Sequence, residues 1–118
     1  MMHTELDVWK KSVDLTEHIY RVTKEYPQIE QYTLVSQMRR AVLSIPSNIA
    51  EGAARRTTKD YIRFLYIALG SISELETQCI ISQRLSYYNF SCNQDLLNIK
   101  RMLTSLIKTL ERSLNGKK

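Results

Sequence analysis

The chain has 118 residues, enough for one domain with a single hydrophobic core. Its 3 glycines and 2 prolines are too few for a turn-rich β-sandwich or barrel. A formal net charge of +5 favours an anionic partner such as nucleic acid, although a modest excess also occurs in proteins that bind none. No signal-peptide pattern opens the chain and no stretch approaches an uncharged membrane span, so we expect a cytoplasmic protein that does not bind membranes.

Apolar residues recur every three or four positions along the first half of the chain, which predicts two helices. The first covers about residues 6–26 and the second about 31–55. Pro46 falls inside the second helix and should interrupt or bend it, because proline lacks a backbone N–H and crowds the preceding turn. Ser47 and Asn48 could satisfy backbone groups that this break would leave open.

Two more helices follow in the second half. The third covers about residues 59–86, begins after an N-cap at Thr57 or Thr58, and is apolar nearly all round. Such a helix lies centrally or packs on a second chain. The fourth covers about residues 93–114, with Ser91 as its cap, and carries a heptad-like apolar seam. Long amphipathic helices joined by short links predict an all-α fold, an antiparallel up-down-up-down four-helix bundle over residues 1–118.

Residue types that carry catalysis or bind metals are sparse. His3 and His18 have no partner at metal-ligand spacing, and the serines have no visible base. Cys79 and Cys92 are far apart and lack a CxxC partner, so they are most simply reduced thiols, with a disulfide left open. We therefore predict no catalytic residue, no metal and no cofactor.

Positive charge is densest between residues 39 and 63. The candidate phosphate-contacting residues there are Arg40, Arg55, Arg56, Lys59 and Arg63. Basic side chains at a helix junction can bind phosphate together with helix N-terminal N–H groups. The alternative is an ordinary solvated surface with internal ion pairs, in which one carboxylate pairs with an arginine of the second helix.

Several segments together resemble the bacterial four-helix-bundle proteins named for 23S ribosomal RNA intervening sequences. The resemblance covers about residues 6–90 and is carried by Asp7-Val-Trp-Lys10, Ile19-Tyr20, Gln37-Met-Arg-Arg-Ala41, Ser44-Ile-Pro-Ser-Asn-Ile-Ala-Glu-Gly52, Phe64-Leu-Tyr-Ile-Ala-Leu-Gly-Ser71 and Glu74-Leu-Glu76. The positions taken as structural motif residues are Arg39, Pro46, Asn48, Glu51, Gly52, Gly70 and Glu74.

The resemblance implies a ring-shaped homopentamer with a positive surface and does not imply an enzyme. Many genes of such proteins lie within fragmented ribosomal RNA, and relatives include the accessory protein of diversity-generating retroelements, which works with a reverse transcriptase and its RNA. The first hypothesis is thus a non-enzymatic oligomer that binds RNA or DNA. The second is a structural adaptor that docks a protein partner, such as a nucleic-acid-processing enzyme. In the adaptor, Arg39 would pair with a buried carboxylate.

Overall fold

Four long helices make up most of the computed structural model, which describes residues 2–87 and 92–115. They are α1 (Asp7–Thr23), α2 (Leu34–Ala53), α3 (Thr58–Arg84) and α4 (Asn93–Asn115). Short 3₁₀ turns cover His3–Glu5 and Gln28–Glu30, and the described residues contain no strand. The predicted all-α, four-helix fold class is confirmed. The predicted cap at Ser91 lies outside the described residues.

The link between α1 and α2 is longer than the sequence predicts. α1 ends at Thr23, and α2 begins at Leu34 rather than near Gln31. Gln31 instead donates its side-chain amide to the carbonyls of Thr23 and Tyr26, at 3.3 and 3.2 Å. The Thr23 carbonyl, at the end of α1, also accepts the backbone N–H of Tyr26 at 3.2 Å, and Gln31 adds a side-chain donor to it and to the Tyr26 carbonyl. The glutamine thus serves the end of α1 and is not part of α2.

The core is built from the apolar faces of all four helices. α3 contributes a fully buried stripe, spaced by three and four residues, that includes Leu65, Ala68, Ile72 and Leu75. This stripe packs mainly against α2, and α1 and α4 complete the bundle. From the start to the end of α2, its side-chain contacts reach residues of falling number on α1, and likewise residues of falling number on α3. The up-down order of the whole bundle stays a prediction.

α2 continues through Pro46 as a single helix, so the predicted interruption is wrong, while a bend of its axis stays a prediction. Pro46 cannot donate to the carbonyl of Val42, four residues earlier. The Thr16 hydroxyl of α1 lies 3.3 Å from that carbonyl oxygen and 2.8 Å from the Ser12 carbonyl, and shares its proton between them. A neighbouring helix therefore compensates for the proline.

A polar cluster lies beside Pro46 on the α2–α3 contact. Asn48 donates its side-chain amide to the Ser44 carbonyl and to Ser44 Oγ, both at 2.8 Å. Ser44 Oγ in turn lies 2.8 Å from Ser71 Oγ on α3. As predicted, the Asn48 side chain bonds a backbone carbonyl near the proline. Ser47 is exposed, and its side chain makes no hydrogen bond within the described residues. The cluster links the middle of α2 to α3.

Two glycines occupy opposite environments. Gly52 is buried where α2 and α3 meet, and an added Cβ would lie 2.9 Å from Phe64 Cβ and 3.1 Å from the Tyr61 carbonyl oxygen. Gly70 is exposed on α3, and an added Cβ would meet nothing within 4 Å. Close helix approach therefore requires glycine at position 52 but not at position 70.

α3 also exposes apolar side chains. Tyr66 is 52% exposed, and Ile67, Ile80 and Ile81 are each exposed by about two fifths. By length and mean hydropathy alone α3 could span a membrane, a test that core helices of water-soluble bundles also pass. Its buried face packs into the bundle, so the composition of α3 has a structural explanation within the protein.

Candidate nucleic-acid interface

The junction between α2 and α3 places the predicted basic residues at one end of two helices. Thr57 caps α3, and its Oγ1 accepts a hydrogen bond from the backbone N–H of Asp60 at 3.1 Å. This bond satisfies one of the N–H groups that a helix start leaves open. The prediction of a cap at Thr57 or Thr58 is confirmed for Thr57.

Two arginines of the junction share one aromatic ring. The guanidinium carbons of Arg55 and Arg63 each lie 4.6 Å from the centroid of the Phe64 ring. Arg55 Nη2 is 3.6 Å from Glu51 Oε1, and Arg63 Nε is 3.7 Å from Asp60 Oδ1. All four charged side chains are about half exposed to solvent, which screens the charges, so each pair contributes little stability. The ring holds both arginines in place, and the carboxylates partly neutralise them.

Arg56 and Lys59 differ from these arginines. Both are exposed, and neither has an ion pair within the described residues. They flank the capped start of α3, where the helix dipole favours negative charge. Arg40 is also exposed but lies far from them, since the thirteen residues from it to Ala53 span about 20 Å of helix. The structure therefore places four of the five predicted phosphate-contacting residues at the junction, and Arg40 elsewhere.

Arg39 occupies a different environment from Arg40. Its side chain is half-buried, with Nε donating to Thr23 Oγ1 at 3.0 Å and Nη2 donating to the Tyr20 carbonyl at 3.2 Å. Its guanidinium carbon also lies 4.7 Å from the centroid of the Tyr20 ring. Arg39 therefore ties α2 to the carboxyl-terminal end of α1.

The predicted buried ion pair of Arg39 is wrong. Glu51 is exposed and pairs with Arg55 on its own helix. Glu74 is exposed and has no ion pair within the described part of the chain. Neutral acceptors on α1 take the place of a carboxylate, which avoids the desolvation of a second charge.

A second basic stripe lies on α4 and was not among the predicted site residues. Lys100, Arg101 and Lys108 line a shallow groove on its surface, together with Leu97, Thr104 and Ser105. The three cations are exposed, and none has an ion pair within the described residues. Arg101 and Lys108 are seven residues apart, so they lie on one side of α4 about 10 Å apart along it, and Lys100 lies about 100° around the helix from Arg101. That spacing is the feature of the sequence from which the α4 stripe could have been predicted.

Groups suited to catalysis or metal binding are scattered. His18 is half-buried in a cleft between α1 and α4 that Asp14, Asp95 and Asn98 also line. Within residues 2–87 and 92–115, no group of three His, Cys, Asp or Glu side chains is placed to hold a metal ion. His3 packs edge-on against Trp9, with ring centroids 5.4 Å apart.

Comparison with known proteins decides the family. A family model described as 23S rRNA-intervening sequence protein matches residues 4–112, which is most of the chain. The chain belongs to this family. The resemblance predicted from its motifs is confirmed.

A solved structure supports the membership of this intervening-sequence protein. It is the crystal structure of a protein of unknown function from the S23 ribosomal protein family of Bacteroides thetaiotaomicron. The two chains are 28% identical with a TM-score of 0.79, over 86% of this chain and 95% of the other. No curated protein matches this chain. The comparisons thus give the family and the fold, and the choice of ligand rests on the surface chemistry.

Proposed function

We propose that this intervening-sequence protein is a non-enzymatic, cytoplasmic homo-oligomer that binds RNA or DNA through phosphate contacts. The observation that carries the proposal is the pair of exposed cations at the α2–α3 junction, Arg56 and Lys59, which have no carboxylate partner within the described residues. Arg55 and Arg63, held against Phe64, stand beside them. A nucleic-acid backbone that crosses the junction would bring its phosphates to these cations and to the start of α3.

The basic stripe on α4 is a second surface suited to phosphate contacts. Lys100, Arg101 and Lys108 share a groove with hydroxyl side chains, which also hydrogen-bond phosphate oxygens. Contacts to phosphate fix a protein on nucleic acid but carry no sequence information directly. We therefore expect affinity from phosphate contacts with little choice of sequence.

The exposed apolar side chains of α3 support assembly into an oligomer. Residues 67 and 81 are fourteen positions apart, which places Ile67 and Ile81 within about 40° of each other around the helix. They lie about 21 Å apart along the helix, so they are two separate exposed apolar positions on one side of α3, an arrangement that suits contact with a second long helix. The family resemblance suggests five copies, and we adopt a homopentamer as the proposed assembly.

The same observation favours the second candidate, a structural adaptor. In that case the α3 surface with Ile67 and Ile81 would hold the oligomer together or dock a partner, and the basic residues would only keep the protein soluble. The adaptor would not bind nucleic acid at low salt. Its earlier support from a buried Arg39 ion pair is gone, because Arg39 bonds neutral groups.

The test is a binding titration of labelled structured RNA and of duplex DNA over a salt series, with molar mass read by light scattering in each buffer. Phosphate binding releases condensed counterions, so affinity should fall steeply as salt rises. The double variant Arg56→Ala/Lys59→Ala should reduce the salt slope for duplex DNA by about two. Lys100→Ala/Lys108→Ala tests the stripe in the same way.

A matched control separates site contacts from net charge. Lys10→Ala/Lys24→Ala removes the same charge from exposed positions on α1 and directly after it, and should leave the slope unchanged. Absence of binding at low salt, or equal losses in the junction, stripe and control variants, would contradict a defined phosphate surface. A monomeric mass in every buffer would contradict the oligomer.

A further inference from the structure

The two cysteines of the chain meet in the core at the end of the bundle. Cys79 lies on α3, and Cys92 directly precedes α4. Both are about 1% exposed, and their Sγ atoms are 3.0 Å apart without a covalent bond. A disulfide requires an S–S distance of about 2.0 Å, so the sulfurs must approach by only about 1 Å. The sequence separation of thirteen residues concealed this proximity.

Tyr87, at the start of the link between α3 and α4, is also held against the bundle. Tyr87 packs on Tyr26 with ring centroids 5.5 Å apart, and its hydroxyl donates to Glu30 Oε2 at 2.9 Å. The backbone N–H of Tyr87 also bonds the carbonyl of Ser82 at 2.9 Å. Noncovalent contacts therefore attach the start of the α3–α4 link to the bundle. At the end of the link, Cys92 lies against Cys79 of α3.

We propose that Cys79 and Cys92 are a redox modification site, at which a small-molecule disulfide converts the pair to an intramolecular disulfide that fixes the start of α4 to α3. The thiolate of either cysteine attacks one sulfur of the oxidant, the S–S bond of the oxidant breaks, and a mixed disulfide forms as the first small thiol leaves. The thiolate of the other cysteine then attacks the cysteine sulfur of the mixed disulfide and displaces the second small thiol. The two cysteine protons end on the two released thiols, and the oxidant takes up the two electrons that the cysteines lose.

Burial of the two thiols slows this reaction. The contact with Cys92, followed by burial, raises the pKa of the Cys79 thiol well above its ordinary value. Only the thiolate attacks a disulfide, so the buried pair reacts slowly in the folded chain. Excess small thiol reverses both steps, which makes the bond a reversible link.

The experiment equilibrates the full chain in buffers of fixed oxidised-to-reduced glutathione ratio, followed by acid quenching, alkylation and mass measurement. Because the chain has 2 cysteines, any intramolecular disulfide is this pair. The same titration in urea gives the value for an unfolded chain, in which the thiols meet at random. We expect the folded chain to form the disulfide at least about tenfold more readily than the unfolded chain.

Cys92→Ser and Cys79→Ser are the controls for glutathione adducts and for bonds between chains. Equal or weaker disulfide formation in the folded chain, or a product that is mainly the glutathione adduct, would overturn the site. Urea unfolding of the oxidised and reduced chains tests the second part of the proposal. A higher midpoint for the oxidised chain supports a link between α3 and α4, and an unchanged or lower midpoint overturns it.

Discussion

Replacing Gly52 with alanine should destabilise the α2–α3 contact. The new Cβ would lie 2.9 Å from Phe64 Cβ, 3.0 Å from Tyr61 Cδ1 and 3.1 Å from the Tyr61 carbonyl oxygen. Phe64 Cβ and the Tyr61 carbonyl oxygen are fixed to the α3 backbone and cannot move aside alone, so the helices themselves must separate. Overpacking of this kind costs about 1–3 kcal/mol. The better helix propensity of alanine offsets about 1 kcal/mol, which leaves an expected loss of up to about 2 kcal/mol.

Gly70→Ala is the matched control, because it makes the same chemical change on α3 where an added Cβ meets open space. It should stabilise the protein by about 0.5–1 kcal/mol. The assay is urea unfolding followed by circular dichroism, at one protein concentration because assembly would contribute to stability. If Gly52→Ala proved as stable as Gly70→Ala, the close approach of α2 and α3 at Gly52 would be refuted.

Three further changes test individual contacts. Arg39→Ala should cost about 1.5–3 kcal/mol in urea unfolding, because it removes charge-assisted hydrogen bonds to α1; a loss below the noise would show that these bonds are not formed in solution. Thr16→Val should cost about 1–3 kcal/mol, since it leaves the α2 carbonyl opposite Pro46 without its hydroxyl donor, with Thr16→Ser as the conservative control. Hydrogen bonds from Thr33 and then Tyr87 lower the pKa of Glu30, so its stabilising effect is present above the unfolded-state pKa and lost as pH falls through the folded one. Tyr87→Phe should raise the Glu30 pKa toward its ordinary value in an NMR titration, and an unmoved pKa would exclude the Tyr87 bond.

The helix pattern was readable because it depends on local periodicity. The buried stripe of α3 follows spacings of three and four residues, and the Thr57 cap follows from residue type and position. The link before α2 was misjudged because Gln31 has good helix propensity, yet its side chain serves carbonyls at the end of α1. A contact between separate elements overrode the local preference.

The candidate site was predictable in composition and only partly in arrangement. A cluster of basic residues near the α2–α3 junction is visible in the chain, and the structure places Arg55 and Arg63 on one ring. Arg39 and Arg40 are neighbours in sequence, but successive residues of a helix point in different directions. One therefore bonds α1 while the other faces solvent, and sequence alone could not assign these roles.

By itself the sequence determined the all-α class, the four helices, their apolar stripes and the family, because each depends on local spacing or on motifs. Tertiary structure alone decided which partners the side chains meet. Thr16 compensates for Pro46 across a helix boundary, Gly52 rather than Gly70 lies at a close contact, and Cys79 meets Cys92. Such pairings depend on the packing of helices against one another, which local spacing along one helix does not encode.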